Sequence, residues 1–331
     1  MDDIARLAGV SKATVDRVIN NRAGVQEHTR KHVLAVAASL AGEHAVSASN
    51  AVHLDFVLPG GGNEFMADLI HQIEQRALSR GDVDVVIHRV EGVDPQQTAA
   101  ALGSLRADCQ GVGLIGLDSP AVREAVRRLI GSGIPVLTLV SDISHVGRMN
   151  YVGIDNRAAG RLAGYLIGRF LPGASGKVAL LAGALAYRGH EEREMGFRHV
   201  LSESFANLDV VAVREVHEDS VRAYEEVCAL LKEHDDLLAI YCIGAGQEGV
   251  ARALTEMGRD KTVIFIGHDL TDRTREYLIN GVMDAAIDQN AQVEAREAID
   301  RLVRAVRNEP NIPTTTIRIQ SVFRENIPSE F

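Results

Sequence analysis

The sequence predicts an α/β protein with a small all-α unit at its N-terminus. Beyond residue 51, short β-branched runs alternate with amphipathic stretches, a pattern typical of parallel sheets covered by helices on both faces. The first 40 residues show three short apolar stripes at helical spacing instead. The 331 residues are too many for one compact domain and suit two or three units.

The three N-terminal stripes predict three helices. The first stripe includes Leu7 and ends at Gly9, which can take the left-handed conformation that stops a helix. Ser11 can cap the next helix, whose stripe spans residues 15–19, and a third helix starts about residue 27. Two short helices joined by Gly-Val-Ser predict a helix-turn-helix.

The second helix would turn a polar, partly basic face outward. Its outward residues are Lys12, Ala13, Asp16, Arg17 and Asn20. Residues 1–40 hold six Lys and Arg against four Asp and Glu, although the whole chain carries a net charge of −10. A mildly basic head on an acidic body predicts a local contact with nucleic acid.

The remaining chain divides into a linker and a body. Residues 41–51 are small and polar, which is typical of a linker. Strands are predicted at 53–58, 84–88, 111–117, 135–140, 177–181, 210–213, 237–243, 262–266, 284–287 and 314–319. Helices are predicted at 64–80, 119–132, 156–170, 219–234 and 290–307. About ten strands are too many for one small sheet, and a seam near 153–156 suggests two similar lobes.

Composition argues against several classes of protein. The three cysteines are odd in number and widely spaced, so they frame neither disulfides nor a zinc site. No basic-then-apolar signal segment and no apolar stretch of about 18 residues occurs, so we expect a cytoplasmic protein without a membrane span. We expect no metal and no cofactor.

The head resembles the DNA-binding headpiece of the lac-repressor family. The string from Asp3 to Asn20 carries the resemblance, and Val25, Thr29-Arg30 and Val33 continue it. The resemblance places Lys12, Ala13 and Arg17 at base edges of the major groove, with Thr14, Asn20 and Thr29 at phosphates. Asp16 stands where the family usually has serine. In the family the linker is a hinge helix that folds on operator DNA, and here a hinge and a plain tether remain open.

Polar and aromatic side chains follow several predicted strands. In doubly wound sheets ligands bind at the carboxyl ends of strands, so these residues are candidates for a sugar or polyol pocket. The candidates are Asn63, Phe65, Met66, Asp118, Ser141, Asp142, Tyr187, Arg193, Gly244, Gln247, His268, Asp269 and Gln289.

The body resembles the ribose-binding type of periplasmic binding protein over nearly all of residues 52–327. The motifs that carry the resemblance are Asn63-x-Phe65, Tyr151-Val152-Gly153-Ile154-Asp155-Asn156, Glu192-Arg193-x-x-Gly196-Phe197, Gly267-His268-Asp269 and Ile287-Asp288-Gln289. The resemblance implies that Arg193, Asp269 and Gln289 hold the ligand in one cleft. Departures at 141–142 and 244–247 argue against ribose itself.

The resemblance also sets the expected boundaries. The headpiece is 1–40, the linker 41–51, and the effector-binding body 52–331. One lobe would take about 52–153 and 285–313, the other about 154–284 and 314–331. The chain would cross between lobes near Gly153, Asp284 and Pro313, and a twofold homodimer would read a near-palindromic operator.

One feature favours a different class of protein. Residues 244–249 spell G-x-G-x-x-G after an apolar strand and before a helix, and Asp269 lies 20 residues beyond, where a dinucleotide fold places its ribose acid. An NAD-dependent oxidoreductase is therefore the alternative. We expect a transcription regulator, most simply a repressor and not an enzyme, that binds operator DNA and answers to a small polar effector.

Overall fold

A computed structural model describes residues 2–19, 25, 29–34, 36, 51–61, 63–147, 150–310 and 317–329. The chain divides into two units, one formed by Met1–Val52 with Ala77–Asp84 and the other by His53–Arg76 with Val85–Phe331. Residues 41–50 of the predicted linker, Asn20 and the crossing near Pro313 lie outside the described residues.

The N-terminal unit contains the predicted pair of helices, α1 (Asp2–Leu7) and α2 (Lys12–Ile19), and residues 29–34 and 36 are also helical. Gly9 has φ 63°, which confirms the left-handed stop. Ser11 Oγ accepts from the Thr14 backbone N–H at 3.2 Å, as a helix cap should. The small core contains Ala5, Ala8, Val15, Val18 and Val33.

The expected stripe of α1 is wrong at Leu7, which is 54 % exposed. Ala5 and Ala8 face the core instead. These two positions are one turn apart, and a helix that points them inward carries the intervening Leu7 to the outer side.

The chain beyond residue 51 forms two sheets, as the alternating pattern predicts. The first has the order β2-β1-β3-β4-β5, and its β1–β3, β3–β4 and β4–β5 pairs are parallel. Its strands are β1 (Val52–Pro59), β2 (Val83–Val90), β3 (Gly111–Leu114), β4 (Val136–Leu139) and β5 (Asn150–Val152). Its helices are α3 (Glu64–Arg80), α4 (Pro95–Leu102) and α5 (Pro120–Gly131).

The second sheet has the order β11-β10-β9-β8-β6-β7 and is parallel except for the β10–β11 pair. Its strands are β6 (Gly176–Ala182), β7 (Leu208–Glu215), β8 (Leu237–Cys242), β9 (Ile264–His268), β10 (Ala285–Asp288) and β11 (Gln320–Val322). Its helices are α6 (Asn156–Phe170), α7 (Arg188–Ser204), α8 (Ser220–Glu233), α9 (Gln247–Glu256) and α10 (Asp272–Asn280). A single 3₁₀ turn, Arg324–Asn326, follows β11.

The last helix, α11 (Ala291–Val306), packs on β3, β4 and β5 of the first sheet. We call β1–β5 with α3–α5 and α11 the first lobe, and β6–β11 with α6–α10 the second lobe. The chain passes between the lobes after β5 and again after β10. The expectation of a crossing near Asp284 is wrong, because Ala285–Asp288 pairs with β9 in the second sheet.

Two other strands differ from the sequence expectation. The segment Asn150–Val152 pairs with β4 as an edge strand that the sequence did not predict. The run at 317–319 is not a strand, and pairing with β10 begins at Gln320. None of the helices in the described parts of the chain is long and apolar enough to span a membrane.

Candidate functional site

Three buried polar side chains meet in the cleft between the lobes, as the sequence predicts. Arg193 Nη2 donates to Gln289 Oε1 at 2.6 Å, and Gln289 Nε2 donates to Asp269 Oδ1 at 2.9 Å. These residues follow β6, β10 and β9, whose carboxyl ends lie at one edge of the second sheet. A connected polar network of this kind holds each donor and acceptor in one orientation.

Arg193 is fixed by further hydrogen bonds and is 3 % exposed. Its Nε donates to Asn156 Oδ1 at 2.7 Å, at the start of α6, and its Nη1 donates to the Ile243 carbonyl at 2.9 Å. Gly160 on α6 lies directly against the backbone of Arg193, since a Cβ there would overlap the Arg193 carbonyl oxygen. The guanidinium is therefore positioned before any ligand arrives.

Asp269 sits at the end of β9 with a left-handed φ of 65°, a strained conformation for a residue other than glycine. Burial raises the pKa of its carboxyl to about 7, and the Arg193 charge opposes that rise. At neutral pH the carboxyl is therefore present in both protonation states. It can accept from a hydroxyl when ionised and donate when protonated.

Glu218 is a site residue that sequence reasoning missed. It follows β7 and has φ 62° beside His217 at φ 50°. Asn63 Nδ2, from the first lobe, donates to Glu218 Oε2 at 3.0 Å. Burial raises the pKa of Glu218, while the N–H donors of Asn63 and Ala245 oppose that rise. The sequence candidates are residues that directly follow predicted strands, and Glu218 is missed because the predicted strand ends at Val213.

Two histidines also line the polar chamber, His268 buried and His190 half-buried. Burial and the Arg193 charge lower the pKa of His190 to about 3, and the same two causes hold the pKa of His268 well below its usual value. Both rings are therefore neutral near pH 7. His268 Nε2 lies 2.7 Å from the Tyr241 hydroxyl.

Two adjoining cavities open between the lobes. We call the first, of about 90 Å³, the polar chamber, and the second, of about 170 Å³, the outer chamber. The predicted residues that line the polar chamber are Asn63, Phe65, Met66, Arg193, Gly244, Gln247, His268, Asp269 and Gln289. Ser141 and Tyr187 line the outer chamber.

Two predicted residues do not line either chamber. Asp118 accepts from Arg123 Nε at 2.7 Å and from Ser144 Oγ at 2.6 Å, and Asp142 accepts from Thr138 Oγ1 at 2.7 Å. Both carboxylates hold the loops that follow β3 and β4. Their charges also act on Arg188 at the start of α7, in the second lobe.

The mouth of the cleft carries an ion pair between the lobes. Arg273 Nε, on α10, lies 2.6 Å from Glu64 Oε1 at the start of α3, and its Nη1 also contacts Glu248. Arg273 is 49 % exposed and Glu64 35 %. With the Asn63–Glu218 bond, this pair joins the two lobes across the opening.

The N-terminal unit presents part of its predicted DNA-contacting face. Lys12, Ala13 and Arg17 are exposed on α2, as expected. Thr14, Asp16 and Thr29 are half-buried. Asn20 lies outside the described residues.

Comparison with known proteins agrees with both parts of this arrangement. The sequence profile of the periplasmic binding protein domain matches residues 54–310, and that of the lacI family of bacterial regulatory proteins matches residues 1–41. The regulator MalR of Clostridium butyricum is 26 % identical over 287 residues, which are 83 % of this chain and 84 % of MalR. The chain belongs to the lacI family of regulators.

Other relatives of this lacI-family regulator are sugar-binding proteins. The D-allose-binding periplasmic protein of Escherichia coli is 24 % identical, over 81 % of this chain and 89 % of its own. The solved structure of GanP, a glucose-galactose binding protein from Geobacillus stearothermophilus, superposes with a TM-score of 0.77 at 24 % identity, over 84 % of this chain and 99 % of GanP. That likeness shows the fold of the body.

The glycine motif of this lacI-family regulator serves close packing. A Cβ on Gly249 would overlap the Ser220 carbonyl of α8, and one on Gly244 would crowd His190 and Gly183. Gly246 has φ 105° and begins α9. The glycines are therefore required by the packing of the second lobe itself, and the Asp269 carboxylate accepts from Gln289 within that lobe.

Proposed function

We propose that this regulator binds operator DNA through the outer face of α2 and binds a neutral sugar or polyol in the cleft. The Arg193–Gln289–Asp269 network is the observation that carries the proposal. It offers a fixed guanidinium, a carboxyl and an amide in one enclosed chamber, and hydroxyl groups need such convergent donors and acceptors. A DNA-binding role places the protein in the cytoplasm.

The charges in the chamber favour a neutral effector. The half-buried carboxyl of Glu218 and the buried carboxyl of Asp269 lie with the buried guanidinium of Arg193, and His190 and His268 are uncharged. An anionic sugar would add a negative charge near two carboxyls, which is unfavourable at low dielectric. Several relatives are named for neutral sugars, D-allose and ribose among them.

The test is a thermal-shift screen of sugars, polyols and nucleosides, followed by titration of operator DNA with and without each hit. We expect Arg193→Ala and Gln289→Ala to weaken effector binding by about 1–3 kcal/mol or more, because each leaves buried polar partners unsatisfied. The effector should then no longer change operator binding. Both variants should still bind operator. Effector binding that survives in both would place the site elsewhere.

We further propose a twofold homodimer, since one headpiece contacts only a half-site.

Calorimetry with NAD and NADP separates the proposed regulator from the oxidoreductase alternative. We expect no dinucleotide binding, and micromolar binding that Asp269→Ala abolishes would favour the enzyme.

A further inference from the structure

A simple sugar or polyol in the polar chamber would leave the outer chamber unfilled. It is the larger of the two cavities, at about 170 Å³. The two cavities share six wall residues: Asn63, Met66, Val140, His190, Arg193 and Glu218. They therefore adjoin, and the Asn63–Glu218 hydrogen bond lies where they meet.

The walls that belong to the outer chamber alone are mostly apolar side chains and glycine backbone, with Glu91, Ser141 and His217 as the polar exceptions. They include Val93 on the loop after β2, Ile115 after β3 and the ring of Tyr187, which stands edge-on to His190. Pro59 and the backbones of Gly60 and Gly92 supply further wall without side-chain donors. A hydroxyl group placed against these surfaces would lose hydrogen bonds to water and regain few from the protein.

The rim of this chamber carries a negative charge. Glu91 lies over Gly60, where a Cβ would overlap its carboxylate. At the inner end the carboxyl of Glu218 and the guanidinium of Arg193 both line the chamber, and apolar walls lie between the two ends. An uncharged apolar group therefore fits the walls.

We propose that the outer chamber is a subsite for an apolar substituent, so that the effector is a glycoside with its sugar in the polar chamber and its alkyl or aryl group in the outer chamber. This inference rests on the proposed function, since it assigns the sugar to the Arg193 network. The linking oxygen would lie at the junction, beside the Asn63 amide. An oxygen without a hydrogen can only accept, and Asn63 carries the N–H donors there.

The test compares sugars with their own glycosides by calorimetry. The probes are D-glucose, D-galactose, D-allose and D-ribose, each beside its methyl and phenyl glycosides in both anomers. We expect one phenyl glycoside to bind at least tenfold tighter than its parent sugar. Val93→Phe, which fills the outer chamber, should remove that gain and leave the affinity for the parent sugar unchanged.

Two further variants serve as controls for Val93→Phe. Val93→Ser keeps the chamber open but removes an apolar wall, so it should reduce the gain even if Val93→Phe does not fold. Val86→Phe makes the same change at an exposed position of β2 and should leave every affinity unchanged. A parent sugar that binds while all its glycosides bind equally or more weakly overturns the subsite alone. No binding by any sugar or glycoside overturns the proposed function as well.

Discussion

Asp269 illustrates how burial gives one side chain a role at neutral pH. Its pKa is about 7 because burial disfavours the charged carboxylate, and Arg193 only partly restores it. The unfolded chain has its ordinary value of 3.8. The folded state therefore holds a proton that the unfolded state has lost between these two pH values, and Asp269 lowers the stability of the free protein as pH rises from about 4 to about 7.

We predict that effector affinity rises with pH between 6 and 8. Hydroxyl donors from the effector stabilise the carboxylate and lower its pKa, so binding releases protons. A shift of one pKa unit corresponds to about tenfold in affinity. Calorimetry across this range checks the prediction, and Asp269→Asn should flatten the profile.

The matched control is Asp142→Asn, which removes a carboxylate bonded to Thr138 of β4, in the first lobe. It should keep the wild-type pH profile. An unchanged slope in Asp269→Asn would assign the proton to Glu218 or another buried carboxyl instead.

The rule that ligand-binding residues follow the carboxyl ends of strands found some site residues and missed others. It gives the place of a residue along the chain but not the direction of its side chain. It selected Asp118 and Asp142, which Ser144 and Thr138 draw into the first lobe, as well as Asp269, which faces the cleft. It passed over Glu218 because the predicted strand ended at Val213, whereas β7 continues to Glu215 and two left-handed residues, His217 and Glu218, follow it.

At the level of elements, α6 and α7 approach closely beneath the site. Gly160 meets the Arg193 carbonyl, Gly164 meets Val200 and Phe197, and Gly196 meets the Arg157 carbonyl. Each of these glycines lacks the Cβ that would separate the two helices. Because Arg193 lies on α7, this contact also sets the position of its guanidinium.

We predict that Gly160→Ala destabilises the protein by about 2–4 kcal/mol, since the added methyl overlaps backbone and not a flexible side chain. It should also weaken effector binding by displacing Arg193. The control is Gly131→Ala, at the last residue of α5, where an added Cβ meets nothing within 4 Å. That change should be neutral or stabilise by up to about 1 kcal/mol. Equal urea midpoints for the two variants would contradict the close contact.

The ion pair at the mouth of the cleft contributes less free energy than the close contact between α6 and α7. Arg273 and Glu64 are both partly exposed, and such pairs contribute about 1 kcal/mol or less. We predict that Arg273→Ala weakens effector affinity by about two- to fivefold without lowering the melting temperature, and that the difference shrinks at high salt.

Arg198→Ala is the control for this prediction, because Arg198 pairs with Glu194 within α7 and not across the cleft. It should leave effector affinity unchanged. A loss of the same size in Arg198→Ala would show a general effect of surface charge and would remove the special role of Arg273.

The strands that the sequence predicted wrongly depend on partners elsewhere in the chain. A β-branched run extends through Ile317, yet pairing with β10 begins at Gln320. Asn150–Val152 has no strong alternation but becomes a strand beside β4. The fold class was predictable because continuous apolar strands between amphipathic helices admit few arrangements, whereas edge strands depend on which neighbour has an open side.

For the whole molecule, control of DNA by a sugar requires a coupling free energy between two sites. Such coupling is about 1–3 kcal/mol in general, and it is reciprocal for equilibrium binding. If effector changes operator affinity by a given factor, operator must change effector affinity by the same factor. The sign of the coupling depends on which arrangement of the lobes the DNA-bound state favours.

We predict that variants at the two sites separate the two affinities. Arg17→Ala removes an exposed guanidinium from α2, so it should cost roughly 1–3 kcal/mol on operator and relax preference at one base pair. It should leave the affinity of the DNA-free protein for effector unchanged. Arg193→Ala should do the reverse, keeping operator affinity but losing the effector site.

Thr29→Ala gives the comparison within the headpiece. A residue that only positions the phosphate backbone should weaken specific and random DNA alike when it is removed. Fluorescence anisotropy on operator and scrambled duplexes, at fixed salt and with and without effector, measures all of these quantities. Equal losses on both duplexes for Arg17→Ala would remove its role in base recognition. In the wild type, effector could change operator affinity by a different factor from the one by which operator changes effector affinity. That result would show that a third state, such as the dissociated monomer, takes part in the equilibrium.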